Sequence, residues 1–126
     1  MRLLLDTVTF IWAVGSPERI SKKAMRSLQH SQAKLEMSAI SLSEIAIKQA
    51  LGKLNLSAQD AMTGIADPNL RVLPYTGDHA FHLFGLPTHH SDPFDRQIIA
   101  QALAEGIPVV TSDEKFKLYQ GLEVIW

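Results

Sequence analysis

The chain has 126 residues, of which 46% are hydrophobic, and it carries a formal net charge of −1 at pH 7. This length predicts one compact domain over residues 1–126. Because the net charge is close to zero, any nucleic-acid partner must be bound by a local cluster of positively charged residues. Cysteine is absent, which excludes disulfides, thiolate zinc sites and a cysteine nucleophile.

The first predicted strand is the apolar run Leu3-Leu4-Leu5. It is too short for a signal peptide or a membrane span, so we expect a cytoplasmic protein with no membrane partner. Asp6 follows at the carboxyl end of this strand, where apolar residues between 10 and 14 predict the next helix. The sequence leaves open whether Asp6 is only the N-cap of that helix or part of a site.

A second strand is predicted at residues 35–37, and a helix follows it and closes near Gly52. Ser41-Leu42-Ser43-Glu44 matches a capping box, which would place Glu44 at the third helical position. The competing interpretation is that Glu44, just beyond a strand end, points into the same pocket as Asp6. Lys48 lies one turn later, and an i,i+4 ion pair with Glu44 is its simplest explanation.

In the middle of the chain, the sequence predicts elements that support the fold. They are a short helix over 57–66, a turn at 67–69 and a short or edge strand over 70–74. A further helical segment over 78–84 carries His79 and His82. Because no third soft ligand accompanies them, no zinc site is expected there. His89 and His90 precede Asp92, and the sequence leaves open that they assist it, but a solvent-exposed loop is the expected place for both.

The stretch from Asp92 to Asp113 is the most informative part of the sequence. Asp92 suits an N-cap and Pro93 the first helical position, so Asp95 falls in the first turn of a helix that Gly106 ends. Residues 107–110 are short, apolar and β-branched, as in a strand buried on both faces of a parallel sheet. Asp113 comes just past the carboxyl end of that strand.

The alternation of strands and helices predicts an α/β fold with a central, mainly parallel sheet. Open sheets of this kind bind ligands at the carboxyl ends of their strands. Asp6 and Asp113 are predicted at that edge, and Glu44 and Asp95 in helical turns that face it. Four close carboxylates repel one another by several kcal/mol unless cations neutralise them. All-oxygen ligation suits Mg²⁺ or Mn²⁺, whose bound water can hydrolyse a phosphodiester.

Four blocks of the chain resemble the PIN-domain endoribonucleases, and within them the VapC-type toxins of bacterial toxin–antitoxin pairs. These blocks are Leu3-Leu4-Leu5-Asp6-Thr7 with Trp12, Ser41-x-x-Glu44-Ile45-Ala46-Ile47-Lys48 with Gly52-Lys53-Leu54, Leu86-Pro87-x-x-His90-x-Asp92-Pro93-Phe94-Asp95-Arg96 running into Ile99-Ala100-Gln101-Ala102, and Thr111-x-Asp113. The resemblance implies a PIN-like three-layer fold and metal-dependent cleavage of RNA. It also implies a homodimer and a cognate antitoxin that inserts a segment beside the acidic pocket.

Carried over by residue, the resemblance implies that the catalytic and metal-binding acids are Asp6, Glu44, Asp95 and Asp113, with Mg²⁺ or Mn²⁺ as cofactor. Asp92 is assigned mainly to capping, with a direct role near the ions left open. Lys48 and Arg96 are interpreted as holding phosphate or balancing the acids, with simple ion pairing as the alternative. The chain departs from the pattern of this family at Val8 and Ser43. These two departures bear on local packing and substrate contacts, and neither removes a carboxylate.

Three other functions remain open at this stage. One is a structure-specific DNA nuclease that uses the same acids. Another is a phospho-acceptor receiver domain that binds Mg²⁺, although such a domain has an Asp pair after its first strand and here Thr7 follows Asp6. The last is a non-catalytic interaction module in which the acids serve only as helix caps.

Overall fold

The centre of the molecule is a five-stranded parallel sheet, and the computed structural model describes all residues from 1 to 126. The strands are β1 (Arg2–Leu5), β2 (Lys34–Ser38), β3 (Leu70–Leu73), β4 (Val109–Val110) and β5 (Val124–Ile125). They lie in the order β3-β2-β1-β4-β5, and every neighbouring pair is parallel. The predicted α/β class is therefore confirmed, and the predicted edge strand over 70–74 is β3.

Six α-helices connect and cover the strands. They are α1 (Thr7–Gly15), α2 (Lys22–Leu28), α3 (Ala39–Ala50), α4 (Ala58–Ile65), α5 (Gly77–Phe81) and α6 (Pro93–Glu105), and short 3₁₀ helices lie at Pro17–Arg19 and Glu114–Leu118. The side chains of Ser21, Ser57 and Asp92 accept hydrogen bonds from the first turns of α2, α4 and α6. No helix is both long enough and apolar enough to cross a membrane.

The helices form two layers because successive strand side chains point to opposite faces of the sheet. Leu4 and Val109 face α6 and pack with Ile98 and Ile99 in one buried apolar cluster. Residues on the other face pack in two separate clusters: Met37 lies with Phe10 of α1 and with α3 and α4, and Leu3 lies with Val110 and α2. The result is the predicted three-layer arrangement, with the sheet buried on both faces.

The strand order changes direction between β1 and β4. From β1 the chain moves outward through β2 to β3 and then crosses back to β4 on the other side of β1. In parallel α/β sheets, the crevice outside the carboxyl ends of the strands at such a point is the usual ligand site. Asp6 follows β1 directly and Asp113 follows β4, so two of the predicted acids lie at this crevice.

Candidate metal centre

Asp6 lies at the end of β1 with only 4% of its surface exposed. One carboxylate oxygen, Oδ1, accepts a hydrogen bond of 2.9 Å from the Thr9 N–H and caps α1, which is one of the two roles that the sequence leaves open. The other, Oδ2, accepts a 2.6 Å hydrogen bond from the Thr111 hydroxyl. Burial nevertheless raises the pKa of Asp6 above its usual value. Capping thus accounts for one oxygen, while the other faces the end of β4.

Thr111 joins the two central strand ends. Its hydroxyl donates to Asp6 and accepts the Asp113 N–H at 3.1 Å. Asp113 in turn uses Oδ1 to cap the following 3₁₀ helix through the Lys115 N–H at 2.9 Å. Burial alone would raise the pKa of Asp113, but hydrogen bonds from His90 and from the Lys115 backbone outweigh it and hold that pKa below its usual value.

Glu44 reaches the crevice from the second turn of α3, which corrects the capping-box prediction. The helix begins three residues earlier than that prediction required, because Ser38 at the end of β2 is the N-cap and accepts the Ile40 N–H at 3.0 Å. Ser41 is buried, and its hydroxyl accepts a 2.8 Å hydrogen bond from Thr7. The sixth helical position turns Glu44 inward, with 5% of its surface exposed.

The two oxygens of the Glu44 carboxylate have different surroundings. Oε2 lies 2.5 Å from the Lys48 ammonium, which confirms the predicted i,i+4 ion pair. Oε1 is buried and has no hydrogen-bond partner. A buried carboxylate oxygen without a partner carries a desolvation penalty that a bound cation would remove.

Asp95 occupies the third position of α6, and Asp92 caps that helix by accepting N–H groups of its first turn. The pKa of Asp95 is raised to about 7. Burial is the largest cause, followed by the negative charges of Asp92, Glu44, Asp6 and Asp113. The charges of the other predicted acids therefore reach Asp95 and destabilise its ionised form. Of these acids, Asp95 and Asp113 place ligand atoms within 4.8 Å of each other, whereas Asp6 and Glu44 are not part of that close cluster.

The acids of this pocket fit a hard divalent cation. The available donors are carboxylate oxygens, the nearby Lys48 balances only part of the negative charge, and Glu44 Oε1 lacks any partner. Oxygen-rich, anionic sites of this kind suit Mg²⁺ or Mn²⁺ better than soft metals. The chemistry available to such a site is the activation of water toward a phosphoryl centre.

His90 is a functional candidate whose burial and partner the sequence did not identify. The prediction of an exposed loop is wrong for this residue, because only 6% of its surface is exposed. Its Nε2 lies 2.9 Å from Asp113 Oδ2, and ligand atoms of His90, Asp95 and Asp113 all lie within 4.8 Å of one another. The sequence signals were its closeness to Asp92 and its place in the block that resembles the PIN-domain family. Its partner Asp113 lies 23 residues further along the chain, which no local pattern reveals.

The other conspicuous histidines and Arg96 lie outside the acidic pocket. His79 is buried and its Nε2 lies 2.8 Å from Glu105, while His82 is exposed. Arg96 donates to the carbonyl oxygens of Pro87 and Leu86 at 2.9 and 3.3 Å, and it reaches the His90 carbonyl at 3.5 Å. It therefore holds the loop before α6, and it forms no ion pair with the acids, while the phosphate contact remains a prediction.

The fold is shared with known proteins. The PIN domain family model matches residues 3–122 of this chain. Ribonuclease VapC22 of Mycobacterium tuberculosis (strain ATCC 25618 / H37Rv) is 28% identical over 121 residues, which cover 94% of this chain and 92% of the relative.

Solved structures show the same fold over almost the whole chain. One is VapBC2 from Rickettsia felis bound to a DNA fragment from their promoter, which aligns with a TM-score of 0.74 at 20% identity and covers 98% of this chain and 97% of the matched chain. Another is VapBC-1 from nontypeable Haemophilus influenzae, with a TM-score of 0.67 at 23% identity and 98% and 96% coverage.

Proposed function

The chain belongs to the PIN-domain family, whose model matches it almost end to end, and from this premise we propose that it is a metal-dependent endoribonuclease. We propose further that it is the toxin of a toxin–antitoxin pair. The observation that carries the proposal is the acidic pocket at the carboxyl ends of β1 and β4. There Asp95 has a pKa of about 7, and Glu44 has a buried oxygen without a partner.

The relatives support the choice of RNA as substrate. The curated relative is named a ribonuclease, and it covers nearly the whole chain. The structural neighbours from Rickettsia felis and Haemophilus influenzae are VapBC proteins, which supports a cognate antitoxin as the protein partner of this chain. We also propose a homodimer, which the resemblance to VapC-type toxins implies, and light scattering of the purified protein tests it directly.

In this proposal Asp6, Glu44, Asp95 and Asp113 hold the cation, which is Mg²⁺ or Mn²⁺. When bound, the cation lowers the pKa of a coordinated water and stabilises charge on the phosphate oxygens. The chain itself orients the ligands: Thr111 fixes Asp6, and Asp92 fixes the first turn of α6.

Lys48 has a separate role in the proposal. It neutralises one oxygen of Glu44, so that the other oxygen is free to face the pocket. The negative charges of Asp92 and Asp95 also act on Lys48 and help to keep its ammonium protonated.

The test is cleavage of an end-labelled RNA by protein freed of metal with EDTA, before and after addition of Mg²⁺ or Mn²⁺. We expect cleavage only with metal, and none by Asp6→Asn at any metal concentration. Asp60→Asn is the matched control, because Asp60 is an exposed acid in the first turn of α4, outside the pocket. Undiminished cleavage in EDTA, or by folded Asp6→Asn protein, would contradict the proposal.

A matched DNA strand in the same assay separates the two nuclease functions. Cation-assisted attack by water does not involve the 2′-hydroxyl, so the acids alone do not select RNA over DNA. Preferential cleavage of RNA is the expected result. Equal or faster cleavage of DNA would replace the ribonuclease by a DNA nuclease with the same metal site.

A further inference from the structure

His90 contacts the acidic pocket, although the proposed function gives it no role. Its imidazole Nε2 lies 2.9 Å from Asp113 Oδ2, and its Nδ1 lies 3.1 Å from the Tyr119 hydroxyl. The His90 backbone nitrogen lies 3.0 Å from the same hydroxyl. Tyr119, His90 and Asp113 thus form a continuous hydrogen-bonded chain that ends on a predicted metal ligand.

The donors in this chain can be assigned from the number of available hydrogens. The Tyr119 hydroxyl accepts the His90 backbone N–H, so its own hydrogen is free to be donated to Nδ1. Because Nδ1 then acts as an acceptor, a neutral imidazole carries its hydrogen on Nε2. Nε2 therefore donates to Asp113 Oδ2 and has no lone pair to offer a cation.

Aromatic packing fixes the plane of the imidazole ring. The Phe116 ring meets it edge-on, with centroids 5.1 Å apart, and the Tyr119 ring stacks on it at 5.6 Å. Both aromatic residues are almost fully buried, at 1% and 2% exposure. Because Phe116 and Tyr119 come from the segment just after Asp113, the ring and the carboxylate are held by the same piece of chain.

The two known hydrogen bonds leave Asp113 able to bind a cation. Oδ1 accepts the Lys115 N–H and Oδ2 accepts from His90, which uses one lone pair of each oxygen. The remaining lone pairs accept no hydrogen bond, and a carboxylate oxygen of Asp95 lies within 4.8 Å of one of Asp113. Without the imidazole, the half-exposed Asp113 side chain could rotate and lose this orientation.

We propose that His90 is a positioning residue that acts through Asp113. Its Nε2–H fixes the carboxylate in the orientation that binds the cation, while Tyr119 fixes the tautomer of His90. The inference rests on the proposed metal site and assigns His90 a role outside the ligand set. Hydrogen-bond donors behind metal ligands commonly change metal affinity by about 10- to 100-fold when they are removed.

The test compares two substitutions, each of which keeps a polar group near a different ring nitrogen of the imidazole. His90→Gln places an amide N–H near the position of Nε2 and can still donate to Asp113. His90→Asn places its polar group near the position of Nδ1 and loses the donor. Calorimetric titration with Mn²⁺ should show affinity within about 3-fold of wild type for His90→Gln and a loss of about 10- to 100-fold for His90→Asn.

Thermal unfolding without metal serves as the control for a purely structural role. If His90 only supports packing, both variants lose stability and neither changes Mn²⁺ affinity selectively, and that result overturns the proposal. Equal affinity losses in both variants overturn it as well. Electron spin-echo spectra of wild-type protein with Mn²⁺ should lack coupling to an imidazole nitrogen, and such coupling would make His90 a ligand instead.

The titration of wild-type protein distinguishes failure of this inference from failure of the proposed function. If wild-type protein and His90→Asn bind Mn²⁺ equally well, the positioning role is wrong and the metal site stands. If wild-type protein binds no Mn²⁺, the metal site and the positioning role both fail.

Discussion

Replacing Asp95 by asparagine is expected to stabilise the metal-free protein at neutral pH while it abolishes the metal-dependent function. The folded protein raises the pKa of Asp95 from 3.8 to about 7 through burial and the charges of the neighbouring acids. The native state therefore binds the proton more tightly than the unfolded chain does. Stability is lost as the pH rises from about 4 to about 7, and the full penalty is present above pH 7.

The size of this effect follows from the pKa of Asp95. A change from 3.8 to about 7 corresponds to roughly 4 kcal/mol without solvent screening. Because Asp95 is only partly buried, screening reduces this to about 2 kcal/mol. Asparagine also loses the favourable interaction of a negative charge with the start of α6, about 0.5 kcal/mol. The expected net gain at pH 8 is about 1.5 kcal/mol, or roughly 6 °C in Tm.

Thermal unfolding in EDTA at pH 5 and pH 8 measures this prediction. Asp60→Asn is the control, because Asp60 holds the same helical position in α4 as Asp95 in α6 but is exposed. Asp95→Asn should exceed wild type in Tm at pH 8 and lose most of that advantage at pH 5, whereas Asp60→Asn should be slightly less stable at both. Addition of Mn²⁺ should raise the Tm of wild type and of Asp60→Asn, but not the Tm of Asp95→Asn. A destabilised Asp95→Asn protein at pH 8 would refute the electrostatic argument.

Three further substitutions test other parts of the structure. Lys48→Met leaves the buried Glu44 carboxylate without its counter-charge, so we expect the free energy of unfolding in EDTA to fall by about 1–2 kcal/mol. Mn²⁺ should then raise the Tm of this variant more than that of wild type, and an equal rise would contradict this prediction. Gly64→Ala places a methyl group 2.8 Å from the Phe10 ring and should cost about 1–3 kcal/mol in denaturant unfolding, unlike Gly15→Ala, where space is open. Arg96→Gln should speed proteolysis of the loop before α6, and unchanged proteolysis would argue against loop anchoring.

The fold was predictable because its determinants are local in the sequence. Asp92, Pro93 and Gly106 mark the ends of α6 by their own conformational preferences, and the structure places them as predicted. The short β-branched run before Asp113 indicated a strand buried on both faces. Once parallel strands are expected, their carboxyl ends must meet at one edge, so the acids that follow them converge.

The errors arose where a local pattern competed with a distant partner. Ser41-x-x-Glu44 matches a capping box, but Ser38 lies at the strand end and takes the cap, while Thr7 from another element binds Ser41. His90 is polar and lies among loop residues, which favours exposure when only neighbours are considered. Its burial depends on Tyr119, 29 residues away, which no local periodicity reveals.

The chemistry of the RNA products tests the central claim most directly. If the acids hold a cation that activates water, the attacking oxygen comes from water and not from the ribose 2′-hydroxyl, so the cut ends should contain no 2′,3′-cyclic phosphate. Total RNA is to be treated with wild-type protein and Mg²⁺, with EDTA, and with Asp95→Asn, and the ends of the products sequenced and typed. We predict discrete cuts with non-cyclic phosphate ends in the first sample alone. Cyclic phosphate ends that persist in EDTA would contradict the account.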